Sequence, residues 1–305
     1  MPRHRAINLA SDFSGLQSVA DLSGTNFPHI ADWPHRFSSW ALDDLANTHV
    51  WLDRTGRIIG WVVLQTPFWA IDCHASPTAD PTLYIEMMRW ALSRASVVHA
   101  QSNGRPVWFV SVPESATVAR GHLESLGFAD QSRVSQNPWS KVLLELPHDS
   151  MVPARTLPEG LRLRNLHADT EIQAYVDLHR AAFASDTMTL AWRERLIRMP
   201  GYVNELDLVI SSPVDELVGF CVSWLRRRAS GELVGQIEPL GVHPDYRGQK
   251  LSRQLMGEAV WRLRRLGATQ IFVETDRQRS NAMAAYHSIG FLVTNEVIVY
   301  RYNIA

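Results

Sequence analysis

The chain has 305 residues, enough for one large core or, more naturally, two cores of about 150 residues each. Thirty basic and thirty-one acidic side chains leave a formal net charge of -1, which excludes the positive footprint of a dedicated nucleic-acid binder. Apolar residues make up 46%, yet no run approaches the roughly 20 apolar residues of a membrane helix and residues 1–24 hold no stretch of signal-peptide character, so the expectation is a soluble, cytoplasmic protein without a membrane partner. Cys73 and Cys221 sit in apolar runs and form no CxxC pattern, as expected of buried, reduced thiols.

In chain order, helical pieces are expected around residues 16–22 and 37–45, joined by a segment bearing Gly, Pro and Asn. HVWLDRTGRIIGWVVLQTP (49–67) reads as a hairpin turning at Asp53–Gly56. A strand and the helix ADPTLYIEMMRWALSRASVVHAQ (79–101) follow, with Pro81 near the first turn. Next come a strand PVWFVSV (106–112), a helix over 115–128 and a closing strand WSKVLLEL (139–146). PHDSMVPARTLP (147–158) has three prolines and little periodicity and is the expected linker.

After the linker the order begins again. LRLRNL (161–166) is a strand, and 168–183 a helix with Asp169 or Thr170 as N-cap. A second helical stretch covers 189–199, and LDLVISSPVDELVGFCVSWL (206–225) is a hairpin. Then come a strand and helix over 237–256, a strand ATQIFVETD (268–276), a helix SNAMAAYHSIGF (280–291) and a last strand VIVYRYNI (297–304). Each half thus runs hairpin, strand, long helix, strand, short helix ending in Gly-Phe (127–128 and 290–291) and closing strand, which reads as an internal duplication.

The stretch richest in chemistry is IEPLGVHPDYRGQKLSRQLM (237–256). A short strand, a turn rich in Pro, Asp and Gly, and a helix start collect free backbone N–H groups, and Arg247, Lys250 and Arg253 add positive charge. That combination suits a polyanion such as a pyrophosphate. Pro239 and Gly241 weaken a paired strand, so a bulge or splay is expected there.

The approach HPDYRG (243–248), the turn that follows it and the block SNAMAAYHSIGF resemble the GNAT superfamily of acyl-CoA-dependent N-acyltransferases over about residues 160–303. In the motif Arg/Gln-x-x-Gly-x-Gly/Ala, which begins here at Arg247, Lys250 and Ser252 stand where the family has its two glycine or small residues. The tandem layout is similar to two-domain acetyltransferases of the mycothiol synthase kind. The resemblance implies an α/β (α+β) fold of two tandem GNAT-type lobes, each a mixed, mostly antiparallel sheet flanked by helices, with a splayed central strand in the C-terminal lobe. It implies acetyl-CoA as cofactor. Its pyrophosphate would lie on Arg247, Gly248, Gln249, Lys250, Leu251, Ser252 and Arg253, its pantetheine along Leu240, Gly241 and Val242, and Asn281 would stand nearby.

Tyr286 lies where many members of that family carry a general acid, and a phenol can protonate a departing thiolate while staying neutral beforehand. Glu238 is a candidate base, its carboxyl raised by desolvation on a cleft-facing strand; the other readings are a satisfied strand-edge carboxylate or recognition of substrate charge. Glu274, with Asp276, is either an amine-binding carboxylate or a cap on the following turn. Residues 183–202 resemble the variable helical region over the acceptor, which makes Trp192 and Arg193, with Arg195, candidates for substrate contact. Arg226–Arg228 read as a solvated strand end and Arg262, Arg264 and Arg265 as the outer face of a helix. No metal site is expected, because His243 and His287 stand alone.

In the N-terminal half, Asp80 and Pro81 occupy the place where a phosphate turn wants N–H donors and positive charge, and Leu123 stands where Tyr286 stands in the other half. The expectation is therefore a degenerate lobe without cofactor over residues 1–150 and a catalytic acetyl-CoA-binding domain over 158–305. The activity expected is direct transfer of acetyl from acetyl-CoA to a primary amine of a small molecule or peptide, in a monomer or homodimer. The alternative is a non-catalytic CoA-binding or interaction protein on the same scaffold.

Overall fold

The computed structural model describes residues 3–22, 28–102, 106–152 and 156–304. Residues 23–27 and 153–155, within the two expected connections, lie outside the described residues. In chain order the elements are β1 (Arg3–Arg5), α1 (Leu9–Leu22), α2 (Trp33–Phe37), β2 (Thr48–Leu52), β3 (Ile58–Gln65), β4 (Ala70–Ala75), α3 (Leu83–Ser102), β5 (Val107–Pro113), α4 (Thr117–Ser125), β6 (Ala129–Asp130) and β7 (Ser140–Leu146). They continue with β8 (Arg162–Asn165), α5 (Ile172–Phe183), α6 (Leu190–Leu196), β9 (Asp207–Ser211), β10 (Leu217–Arg227), β11 (Leu233–Val242), α7 (Leu251–Arg265), β12 (Gln270–Asp276), α8 (Ser280–His287) and β13 (Leu292–Asn303).

Two compact units result, and neither is a contiguous half. One comprises residues 1–28, 39–142 and 295–305; the other comprises 29–38 and 143–294. The boundary falls inside β7 and β13, so each closing strand contributes to both units. In the first unit the strand order is β1-β2-β3-β4-β5-β13, antiparallel except for β4 beside β5. The β2–β3 hairpin turns where Asp53 Oδ1 accepts the N–H groups of Thr55 and Arg57, with Gly56 at φ +87°. Helix α3 starts where Asp80 Oδ1 takes the Thr82 N–H at 2.8 Å. Met87, Met88, Ala91 and Ala95 bury one face of α3 in a cluster with Val62, Leu64 and Trp108.

In the second unit the order is β7-β12-β11-β10-β9-β8, with β11 parallel to β12 and β8 to β11 antiparallel. Helix α7 packs on β10 and β11 through Leu251, Leu255, Ala259 and Leu263, all buried at the expected four-residue spacing. Three local expectations are corrected. Helix α5 begins at Ile172, not after Asp169 or Thr170: Glu171 binds Arg164 through both carboxylate oxygens and takes the His167 N–H, which keeps residues 168–170 in a turn. Residues 37–45 are the end of α2, a 3-10 turn at Trp40–Asp43 and the start of a second at Leu45–Asn47. Arg226 is buried and donates to the Ile30 carbonyl at 2.8 Å, while Arg262 and Arg264 tie α7 to Asn165, Glu205, Ser150 and Pro147. These guanidiniums are structural ties; three or more donors in a fork let each satisfy several carbonyls at once.

The inclusion of residues 29–38 in the second unit has a specific cause. Gln236 on β11 is fully buried, and its Oε1 accepts the N–H groups of Ile30 (2.7 Å), Ala31 (2.8 Å) and Asp32 (3.4 Å). Ile30 then packs with Val234, Phe272 and Leu143. The indole of Trp192 donates to Ser38 Oγ at 3.1 Å and stacks on His35 at 5.2 Å between centroids. Replacing Gln236 with Leu keeps the volume but strands three buried N–H groups, each worth about 1–3 kcal/mol when unpaired. Urea unfolding should show Gln236→Leu less stable by about 3 kcal/mol; a loss under about 1 kcal/mol would mean that the Gln236 oxygen does not hold this segment.

Candidate active site

The candidate site is built on β11, and its irregularity is the expected one. Ser223 pairs with Ile237 but Cys221 pairs with Leu240, so Val222 faces both Glu238 and Pro239 in a bulge. Proline has no N–H for the ladder, which is why the register slips there. The Trp224 indole donates to the Glu238 carbonyl at 2.6 Å. On its other edge β11 pairs with β12 over Val234–Gln236 and Gln270–Phe272, and the two strands run on apart to Val242 and Asp276. This is the splay expected from the sequence, and it leaves one edge of residues 238–242 without a parallel partner strand. Gly241 fits because a Cβ there would lie 2.5 Å from two Phe220 ring carbons and 3.0 Å from the Ala182 Cβ.

Past β11 the chain turns through Pro244–Tyr246, where His243 Nδ1 accepts the Asp245 N–H at 3.3 Å. Arg247 is exposed and donates to the Ala182 carbonyl at 2.8 Å, which caps the C-terminus of α5 and leaves the other face of the guanidinium open. Gly248 takes φ +79° with open space on its Cβ side. Lys250 is the N-cap of α7 at φ +60°, ψ 21°, a left-handed conformation that favours glycine. Lysine therefore adopts a backbone that glycine would take without strain, and its side chain is exposed. Among the described residues, no acceptor in the chain faces the N–H groups of Gln249, Lys250, Leu251 and Ser252. Leu251 contributes only its backbone here, since its side chain is 1% exposed in the core. Ser252 and Arg253 are half-buried on the first turn of α7, and Asn281 is exposed at the start of α8.

Three of the named side chains converge. Tyr286 on α8 is 7% exposed and packs edge-on against Phe291 at 6.0 Å. Burial holds its phenol well above the ordinary range, with Glu238 and Glu274 pushing it further up and Arg279 opposing. Glu238 on β11 and Glu274 on β12 are both half-buried, and their charges reach Tyr286 from the two strands that part. Cys221, behind the bulge, is pushed up to about 12 by burial, with Ser223 opposing and Asp207 and Glu238 adding to the rise. A neutral phenol beside two carboxylates, next to an open strand edge and an open helix N-terminus, can donate a proton while a cationic or neutral amine is held opposite.

The structure does not bring Trp192 and Arg193 to that place. Both are in the interior: Thr189 caps α6 and turns Trp192 inward, and Arg193 is 0% exposed, paired with Asp207 and 3.7 Å over the Tyr175 ring. Tyr202 completes the group by donating to Asp207 at 2.7 Å. Beside it His179 is lowered to about 4 by burial, Arg193 and Arg180, and it stacks on Phe220 at 5.5 Å. Tyr175 is pushed above its ordinary range by burial, and the Glu238 charge is among the causes. Sequence reasoning missed Tyr175, His179 and Trp224; the four-residue spacing of Tyr175, His179 and Phe183 on one face of α5 is the signal that marks the first two. Among the described residues no group of three metal-ligating side chains exists, and no helix is long and apolar enough to cross a membrane.

Residues 168–291 match the acetyltransferase (GNAT) family. A mycothiol acetyltransferase of Thermobispora bispora is 29% identical over 160 residues, 51% of this chain and 54% of that protein. One from Propionibacterium freudenreichii subsp. shermanii is 27% identical over 292 residues, 92% of this chain and 87% of that protein. The chain spans about half the length of the first curated relatives it matches. Among solved structures, a GCN5-related N-acetyltransferase from Sphaerobacter thermophilus shares the fold with a TM-score of 0.64 at 18% identity, over 99% of this chain and 95% of that one. A tandem GNAT protein from the clavulanic acid biosynthesis pathway does so with a TM-score of 0.63 at 13% identity, over 100% and 99%.

The left-handed backbone at Lys250 gives a test of the turn. Lys250→Gly removes about 1 kcal/mol of backbone strain and should leave thermal stability equal or higher, whereas Lys250→Val, branched at Cβ, should cost about 1–2 kcal/mol. Equal melting temperatures for the two variants would show that residue 250 does not hold φ +60°.

Proposed function

We propose that this chain, whose residues 168–291 belong to the acetyltransferase (GNAT) family, moves an acetyl group from acetyl-CoA directly to a primary amine of a small molecule or peptide. The observation that carries the reading is the parting of β11 from β12 directly ahead of an α7 N-terminus with open N–H groups, with Tyr286 buried on α8 within reach of the charges of Glu238 and Glu274. The residues fit the cofactor: the N–H groups of residues 249–252, with Lys250 and Arg253, suit its pyrophosphate, and the unpaired edge near Leu240–Val242 suits an extended amide-bearing arm. Bound there, acetyl-CoA supplies the acetyl thioester.

In this reading Glu238 holds or deprotonates the amine, whose nitrogen lone pair forms the new C–N bond as the C–S bond breaks. Tyr286 gives its proton to the departing sulfur, and the proton lost by the amine goes to Glu238 directly or through one water. Burial raises the phenol, so Tyr286 keeps its proton through neutral and mildly alkaline pH and loses it only well above its ordinary range. The Glu274 charge also raises that phenol, and in this reading it supplies a second negative charge for a cationic acceptor. The first unit takes no cofactor in this reading: Asp80 folds onto Thr82 where a phosphate would lie, Pro81 lacks an N–H, and Leu123 is a buried core residue at the position of Tyr286.

Calorimetry with CoA and an amine panel test the reading, and because relatives are mycothiol acetyltransferases, amines related to mycothiol come first. Tyr286→Phe should lower kcat by roughly 10²–10⁴ with little change in acetyl-CoA affinity, and Glu238→Gln should lower the rate and remove the acidic limb of the pH profile. The wild-type profile should show no alkaline loss attributable to Tyr286 below about pH 10. CoA binding without transfer to any amine, unaffected by Tyr286→Phe, is the behaviour of a non-catalytic CoA-binding protein. No heat and no thermal shift at millimolar CoA would end both readings.

A further inference from the structure

We propose that Trp224 is a positioning residue: by donating its indole N–H to the Glu238 carbonyl, it fixes the direction in which the Glu238 side chain leaves β11 toward the acceptor amine. The inference rests on the acetyl-transfer reading of β11 and Tyr286 given above. Trp224 is directly opposite Gln236 in the β10–β11 register, and its ring reaches two residues along the partner strand to the 238 carbonyl at 2.6 Å. It is 1% exposed, so water does not compete for that carbonyl from the indole side.

The location is what makes this bond consequential. β11 is anchored before the bulge by Gln236, whose Oε1 holds the Ile30 and Ala31 N–H groups. It is anchored after the bulge by Gly241, in contact with the Phe220 ring. Between these points Glu238 and Pro239 share one cross-strand residue, Val222, and proline donates no ladder bond. The accepting carbonyl belongs to the Glu238–Pro239 peptide; the proline ring fixes φ on its far side, so rotation about the Cα–C bond of Glu238 is what remains to turn the side chain relative to that plane. The indole, a rigid donor with two side-chain torsions, removes that freedom. The carboxylate so directed is the one whose charge reaches Tyr286, Cys221 and Tyr175 at once.

The test is a surgical replacement of Trp224 by β-(3-benzothienyl)alanine, which keeps the bicyclic shape and exchanges the N–H for sulfur, with Trp224→Phe as the simpler companion. Readouts are steady-state kinetics across the pH range and, without any acceptor, the titration of a ¹³C-labelled Glu238 carboxyl. In the folded analogue kcat should fall roughly ten- to a hundred-fold, with the KM for acetyl-CoA held within about two-fold and the acidic limb displaced by at least about half a pH unit. The Glu238 carboxyl should titrate at a different pH in the analogue than in the wild type. A folded analogue with unchanged kcat, unchanged limb and unchanged carboxyl titration overturns the assignment. If wild-type protein transfers acetyl to no amine, the transfer reading fails on its own, and the carboxyl titration alone then decides whether Trp224 directs Glu238.

Discussion

The constraint on which the second unit depends is the break in the β10–β11 ladder at Glu238–Pro239. A strand with every ladder bond made on both edges has no backbone to offer a ligand. Here proline removes one donor, the register slips by one residue, and beyond Gln236 the parallel neighbour β12 departs. The break is stable because what surrounds it is over-determined. Gln236 satisfies three N–H groups, Trp224 satisfies the Glu238 carbonyl, and Gly241 lets Phe220 close against the backbone. An interrupted strand that lacked these partners would leave unpaired polar groups in a region where Ile237 is 1% exposed and Trp224 likewise.

The same break explains how charge is distributed around Tyr286. Parting of β11 and β12 gives two carboxylates, Glu238 and Glu274, separate strands from which to approach one phenol. A regular sheet would have kept the two strands about 4.8 Å apart to their ends, with both edges of β11 paired. Behind this front, Arg193 and Asp207 are wholly buried as a pair, with Tyr175 under the guanidinium and Tyr202 on the carboxylate. A buried pair of that kind contributes little net stability by itself, yet removal of either partner strands a charge, so its effect is to fix α5 and α6 against β9 in one arrangement.

Much of this was legible in the sequence. The hairpins announced themselves through Asp53–Gly56 and the run 206–225, the helices through four-residue spacing, and the splay through Pro239 and Gly241. The turn at 243–252 and the Tyr286 block carried both the family likeness and the open N–H groups. What was not legible depends on pairing across long sequence separations. Nothing in HIADWPHRFS (29–38) shows that Gln236, more than two hundred residues later, takes its N–H groups. Trp224 reads as one more of eleven Trp, because a tryptophan that donates to a carbonyl and one that fills a core have the same composition. Arg193 reads as a substrate contact on a variable helical region, because nothing in its neighbourhood in the sequence shows that Asp207 shares its burial. Likewise Arg226 was placed in solvent because its cluster is charged, whereas its end is set by the Ile30 carbonyl.

Lys250 shows how a departure from a motif can leave the physics in place. A glycine in that turn serves by reaching positive φ and by letting backbone approach an anion. The lysine reaches φ +60° all the same, at a cost of about 1–2 kcal/mol that the surrounding turn, with Gly248 at φ +79°, absorbs. In the proposed acetyl-CoA reading, what it gives up in close approach it returns as a cation at the positive end of α7, and that exchange would change how affinity responds to conditions. A cradle of neutral N–H groups holds an anion through short, directional bonds that salt screens little, whereas an exposed ammonium acts through a field that falls off over about 8–10 Å at ordinary ionic strength. In that reading the turn trades geometric selectivity for electrostatic reach, and Ser252, small and half-buried one residue beyond Leu251, would retain the space at the helix start that the exchange requires.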